Sequence, residues 1–139
     1  TNDIEFWQNK IATLLGPDTD VETLSRPLGN ITDPEKAHLA KWGAKTPDEA
    51  KAIASRHSAL SIVSADDPPI FMSYGMTPTA KPPTDRGRIR GWLIHHVNLG
   101  IALKEKSDAL KHEAHLKYPG AEIEYQSQVE FFVDKLLKE

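Results

Sequence analysis

His95-His96 places two imidazoles side by side near the start of an expected helix, a pairing that suggests a metal ion. Adjacent helical residues point about 100° apart, however, so two such rings rarely reach one ion. His112 and His115 flank the beginning of an expected strand, with no acidic residue at a clear ligand spacing. The expected role of these histidines is packing at a helix–sheet boundary, and neither a metal nor a cofactor is expected. A second cluster, Arg86, Arg88 and Arg90 in "PTDRGRIRG", carries the planar, two-pronged chemistry that grips a carboxylate or phosphate. It reads as a Gly-rich loop, in which pairing with surface acids competes with anion binding. Cysteine is absent, which excludes thiol nucleophiles, disulfides and Cys-based zinc sites together.

The elements that must position these residues follow from periodicity. Ile4, Trp7, Ile11, Leu14 and Leu15 recur at helical spacing until Gly16-Pro17 ends the pattern. After a connecting loop over 18–31, "TDPEKAHLAKWG" reads as a short helix with Pro34 in its first turn. "TPDEAKAIASRHS" reads as another, with Thr46 as cap, Pro47 at the first helical position and Glu49 closing a capping box. Ile70 to Tyr74 is a short apolar run between Pro and Gly, the mark of a buried strand. From about Arg88 a helix pattern runs through Trp92, Leu93, Leu99, Leu103 and Leu110. "EAHLKYPG" alternates as a second strand, and Val129, Phe132, Val133, Leu136 and Leu137 mark a final amphipathic helix.

Strand, helix, strand, helix in that order is a parallel crossover unit. The fold class is therefore α/β: a partial parallel sheet with flanking helices (58–139) after a helical N-terminal segment (1–57). Two parallel strands alone make a poor sheet. Either "ALSIVS" hides another strand or strands from elsewhere complete the sheet. The run "PPIFMSYG", apolar on both faces, implies edges that recruit a partner, and self-association is the expectation for a chain standing alone.

Composition narrows the partners. Acids and bases are scattered, the net charge is −3, and no basic stripe is interleaved with aromatics, so nucleic acid is excluded. No apolar run is long enough to span a bilayer. The opening Thr1-Asn2-Asp3 is neither a methionine start nor a signal peptide, and the reading is of a trimmed chain.

Three stretches, "SALSIVSADDPPIFMSYG", "LGIALKEKSDALKHEAHLKYPGA" and "FFVDKLLKE", carry a resemblance to a known family. From about Ser58 to its end the chain resembles the C-terminal part of an α/β-hydrolase of the esterase/lipase type. In that family a DDPP turn leads into the penultimate strand, and a PGA turn follows the last strand before a closing helix. The resemblance covers only the back half of the fold. It implies acyl transfer to water through a serine ester, with a small-molecule ester as substrate of the whole parent protein.

The resemblance also implies positions for the catalytic residues, and this chain departs from them. The G-x-S-x-G elbow and the oxyanion loop lie upstream in the family and are absent here. "FMSYG" imitates an elbow around Ser73, but Phe71 fills the first glycine position. The acid falls due at Pro78, which cannot orient an imidazole; Asp85, the next acid along, is the one catalytic candidate. Asp66 and Asp67 precede the strand, at the wrong end for catalysis, and are expected to build its turn. The histidine falls due at Ile123, and a solvated Glu122 or Glu124 titrates too low to replace it. The reading is of a C-terminal hydrolase-like part that is inactive alone and completed by a missing N-terminal half. The alternative is a non-enzymatic module that retains the scaffold for binding or homo-oligomeric assembly.

Overall fold

The computed structural model describes Leu39 and residues 43–137, without the side chains of Arg86 and Arg90. The helices expected over 4–15 and 32–43, and the loop between them, lie outside the described residues. The described residues group into two compact units: one holds Leu39 and 43–62 together with 81–95, the other 63–80 together with 96–137.

In the first unit, helix α1 spans Pro47–His57 and starts as its sequence dictates. Thr46 Oγ1 accepts the Glu49 N–H at 3.2 Å, and Pro47 occupies the first turn, where no N–H is needed. The return arm of the capping box lands one residue early, because Glu49 Oε2 accepts the N–H of Lys45 at 2.8 Å. Ala50 and Ala54, four residues apart, form the buried stripe of the helix. One further turn, α2 (Ala59–Ile62), follows. "ALSIVS" thus holds a helical turn in place of the hidden strand, with the Ser61 and Ile62 N–H groups both bonded to the Ser58 carbonyl.

Helix α3 (Arg86–Ile94) begins at Asp85, whose Oδ1 accepts the Gly87 N–H at 2.9 Å. The helix pattern expected from about Arg88 through Leu110 is two helices: the first stops at His95, and α4 (Val97–Leu110) follows in the second unit. The break falls on the double histidine. His96 leaves helical backbone geometry, and its Nδ1 accepts the Asn98 N–H at 3.2 Å to cap α4.

The second unit contains β1 (Ile70–Ser73), α4, β2 (Ala114–Lys117) and α5 (Gln128–Leu137). The two strands pair in parallel, with Ile70 opposite Ala114 and Ser73 opposite Lys117. That register puts Phe71, Ser73, His115 and Lys117 on one face, and Ile70, Met72, Ala114 and Leu116 on the other. Helix α4 packs on the second face, where Gly100 lies under Tyr74 and Leu116. Helix α5 lies on the first, where Phe131 stacks on Phe71 at 5.6 Å between ring centres. The architecture is a small parallel sheet with a helix on each face. No third strand joins it among the described residues, and most strand residues remain half-buried.

Candidate functional site

The side chains with chemistry gather at β2 and the loop that follows it. β-strand alternation sends Glu113 and His115, two residues apart, to the same side. The chain then turns through Pro119-Gly120, with Gly120 at φ +90°, and brings Glu124 and Tyr125 back over that side. His115 Nε2 lies 2.8 Å from Glu113 Oε1, and its Nδ1 lies 3.3 Å from Glu124 Oε2. The Tyr125 ring meets the imidazole edge-on at 4.7 Å, and Phe131 closes the cluster at 5.7 Å from it.

Helix α5 supplies the opposite charges. Lys135 Nζ reaches Glu113 Oε1 at 2.5 Å and stands 3.6 Å from Asp134 Oδ2. Tyr125 donates its phenol proton to Asp134 at 2.6 Å. The Lys135 ammonium, and secondarily His115, hold the Glu113 carboxyl below the usual glutamate range. Glu113 in turn raises Lys135, and the carboxylate of Asp134 pushes the Tyr125 phenol up. The same contacts fasten α5 to β2.

A cavity of about 260 Å³ opens beside the cluster, lined by Phe71, His115, Lys117, Ile123, Glu124 and Tyr125 among others. That is slightly under the smallest usual small-molecule site. Ile123, where the hydrolase resemblance calls for histidine, forms part of its wall. His115 is the imidazole nearest in sequence, but each ring nitrogen faces a carboxylate oxygen. Neither nitrogen is open to a serine hydroxyl, because a carboxylate stands against each. The arrangement is that of a residue held in place by its neighbours. A second recess of about 400 Å³ lies at the carboxyl ends of the strands, between Ser73, Lys117 and the Gln126–Gln128 start of α5.

The other residues singled out by sequence are dispersed. Ser73 sits exposed at the end of β1, and the Tyr74 ring that follows it is packed above Gly100. Asp66 and Asp67 build the turn before β1: Asp67 Oδ2 accepts the Ser64 N–H at 2.9 Å, and Asp66 Oδ1 the Ser64 hydroxyl at 2.8 Å. Asp85 caps α3 and stands 3.8 Å from Arg88, both well exposed. The arginines expected in a loop are helical in backbone. A helix turns position 88 about 200° away from positions 86 and 90, so the three do not share one face. The side chains of Arg86 and Arg90 lie outside what is described.

Of the other histidines singled out by sequence, His95 is exposed at the end of α3 and does not pack as expected, whereas His96 and His112 are buried. His112 is buried, with Nδ1 3.2 Å from Ser107 Oγ and Nε2 3.0 Å from the Pro68 carbonyl, and so ties the end of α4 to the turn before β1. His96 is fully buried, and burial lowers its pKa against the opposing effect of a hydrogen bond to the Ala80 backbone. Among the described residues no group of three His, Asp or Glu side chains could hold a metal ion. The Glu113–His115 pair was missed in the sequence, although the alternation of "EAHLK" places both on one side of the strand; Glu124 has no such local signal, because a loop brings it back.

No protein-family model, no curated protein and no solved structure matches this chain.

Proposed function

We propose that the chain is the C-terminal part of an α/β-hydrolase-like protein of the carboxylesterase/lipase class, without catalytic competence of its own. The observation that carries this reading is the order of elements around the sheet. A DDPP turn leads into β1, a helical crossover returns in parallel to β2, and a Pro-Gly-Ala turn then leads to a closing helix. Two strands covered by a helix on each face form the end of a larger sheet more readily than a complete one. In the whole parent this part would carry the loops that bear acid and histidine. Asp85 stays the one nominee for the acid, although its present contacts are those of a helix cap. Among the described residues no helix is long and apolar enough to cross a membrane.

The test has two arms. The 139-residue chain should neither hydrolyse p-nitrophenyl butyrate above the blank nor bind a fluorophosphonate covalently. A longer parent with G-x-S-x-G upstream should be labelled at that serine. Labelling of this chain at Ser73, or a coding sequence with no such motif upstream, would sink the reading.

A second reading, a non-catalytic module kept for assembly, is favoured by one feature. The apolar stripe of α5 points away from the sheet, with Val129, Phe132, Val133, Leu136 and Leu137 all exposed.

A further inference from the structure

We propose that residues 122–124 are a proton-held latch over the cavity beside β2: charged His115 fastens Glu124 down, and loss of its proton frees the three residues to lift away. Such a latch goes beyond both readings above and depends on neither. The loop is anchored on either side of these residues. Before them the Ala121 N–H bonds the Tyr118 carbonyl at 3.0 Å; after them buried Tyr125 donates to Asp134, and the Gln126 carbonyl accepts from Lys117. Between the anchors, residues 122–124 make no backbone hydrogen bond among the described residues. Their one polar tie there is the contact of Glu124 Oε2 with His115 Nδ1 at 3.3 Å. Glu122, Ile123 and Glu124 all line the cavity of about 260 Å³, so their position sets how wide it opens.

That tie depends on a proton. A neutral imidazole has one N–H and one lone pair, so between two carboxylates it donates to one and its lone pair repels the other. The imidazolium donates to both. Glu113 is not free to leave, because it lies two residues from His115 on the chain and is held by Lys135. Glu124 is free: its carboxylate is 67% exposed and rides on the untied stretch. The other charged and titratable groups around the imidazole have partners of their own. On β2, Lys117 donates to Gln126; on α5, Lys135 holds Glu113 and Asp134 accepts from Tyr125. Across the cavity, Lys104 of α4 pairs with Asp108 at 2.6 Å. Glu122, exposed at the rim, carries the same charge as Glu124 and offers it no pair. On this face β1 presents Phe71 and Ser73, which are uncharged. Imidazole changes charge between about pH 5 and 8. The latch is therefore closed at the acid end of that window and released as pH rises through it. His96 responds with the opposite sign, since its buried cap fails on gaining a proton.

The experiment uses the whole 139-residue chain, whose lack of cysteine lets two spin labels be placed at chosen sites. With labels attached through Glu122→Cys and Glu105→Cys, both exposed, double electron–electron resonance reads the span from the loop to α4. The distance distribution should be narrow at pH 5.5. The share of longer distances should rise about two- to fivefold by pH 8, the weight of one partly exposed ion pair. Glu124→Gln should remove this dependence, because an amide either accepts from an imidazole N–H or donates to its lone pair. A control pair, Glu105→Cys with Gln128→Cys at the start of α5, should stay unchanged over the same range. A loop distribution that is the same at both pH values would overturn the latch, and so would a pH response that persists in Glu124→Gln. Movement of the control pair alongside the loop would overturn it too, by placing the change in the whole unit.

Discussion

The two faces of the small sheet are built in different ways. On the α4 face the helix comes close enough that glycine is required at position 100, and it is locked at both ends. His96 caps its start, and His112 ties its end to the Pro68 carbonyl. Val97, Ser107 and Ala114 are buried along that contact. On the other face α5 itself buries a single apolar residue, Phe131, and much of its attachment is polar, through Lys135 to Glu113 and Tyr125 to Asp134. Close packing is directional in shape and indifferent to salt, whereas the ionic side is screened and depends on protonation. The α4 face is a finished core; the α5 face is a thin attachment with a second apolar surface behind it.

The largest effect should come from removing the one anchor of the thinner face. Phe131 is 3% exposed and touches the rings of Phe71, Tyr125 and Phe132 at 5.4 to 5.6 Å. Phe131→Ala should cost about 3 kcal/mol in urea unfolding, at the low end for buried phenylalanine because the site is near the surface. A loss under about 1 kcal/mol would mean that the ionic contacts alone hold α5, and the contrast between the faces would be reversed.

Gly100→Ala tests the other face. A Cβ there would stand 2.4 Å from Tyr74 Cε2 and 2.8 Å from Leu116 Cδ1. Ala gains about 1 kcal/mol of helix propensity over Gly, and overpacking costs about 1–3 kcal/mol; contacts as short as these put the cost toward the upper end, so the variant should lose up to about 2 kcal/mol. A stabilised variant would show that α4 can lift off the sheet without loss.

The faces should also lose stability in different pH windows. Burial lowers the folded-state pKa of His96 beneath its ordinary 6.5, so the unfolded chain binds that proton first. The contribution of this group is complete above about pH 6.5 and is lost as pH falls through the ordinary value toward the depressed one. Protonation would also remove the lone pair that caps α4. Glu113 is lowered from 4.5, chiefly by Lys135, so its contribution is present above that value and lost only in stronger acid. The urea midpoint measured from pH 7.5 to 5 should therefore fall, and His96→Asn, which keeps a good cap, should flatten that slope. Equal slopes in both proteins would remove His96 as the cause.

Features settled within a few residues were readable in the sequence. Thr46-Pro47 starts α1 where expected, the strands fall within the predicted runs, and Asp66-Asp67 builds its turn. What escaped depends on tertiary choice. Continuous apolar spacing through 92–110 hides the break at His95-His96, because a buried imidazole can cap a helix as Asn or Ser would. The tandem Phe131-Phe132 offered α5 two orientations, and periodicity favours the stripe of Phe132. The observed orientation instead places Phe131, Asp134 and Lys135 toward partners on β1 and around β2, which no helical pattern encodes. The cluster around His115 went unread in the sequence: Glu113 leaves a local signal in the strand alternation that was passed over, and Glu124 leaves none because a loop brings it in.

The smallest change sharpens the comparison from the α4 side. That helix ends in a Schellman turn, with the His112 N–H bonded to the Ser107 carbonyl at 2.8 Å and the Lys111 N–H to Asp108 at 3.0 Å. The turn needs a left-handed residue, and Lys111 fills it at φ +60°, the one described non-glycine residue with positive φ. A lysine there carries a Cβ penalty that glycine lacks, partly offset by the greater freedom of glycine in the unfolded chain. Lys111→Gly should therefore raise stability by about 0.5–1 kcal/mol. The gain should persist in high salt, because its origin is steric. Replacing Glu113 by Gln should weaken the α5 attachment most at low salt, since the pair it forms is partly exposed. A salt-dependent gain in Lys111→Gly would mean that the lysine acts through its charge, and the division into a packed face and an ionic face would then fail at the end of α4.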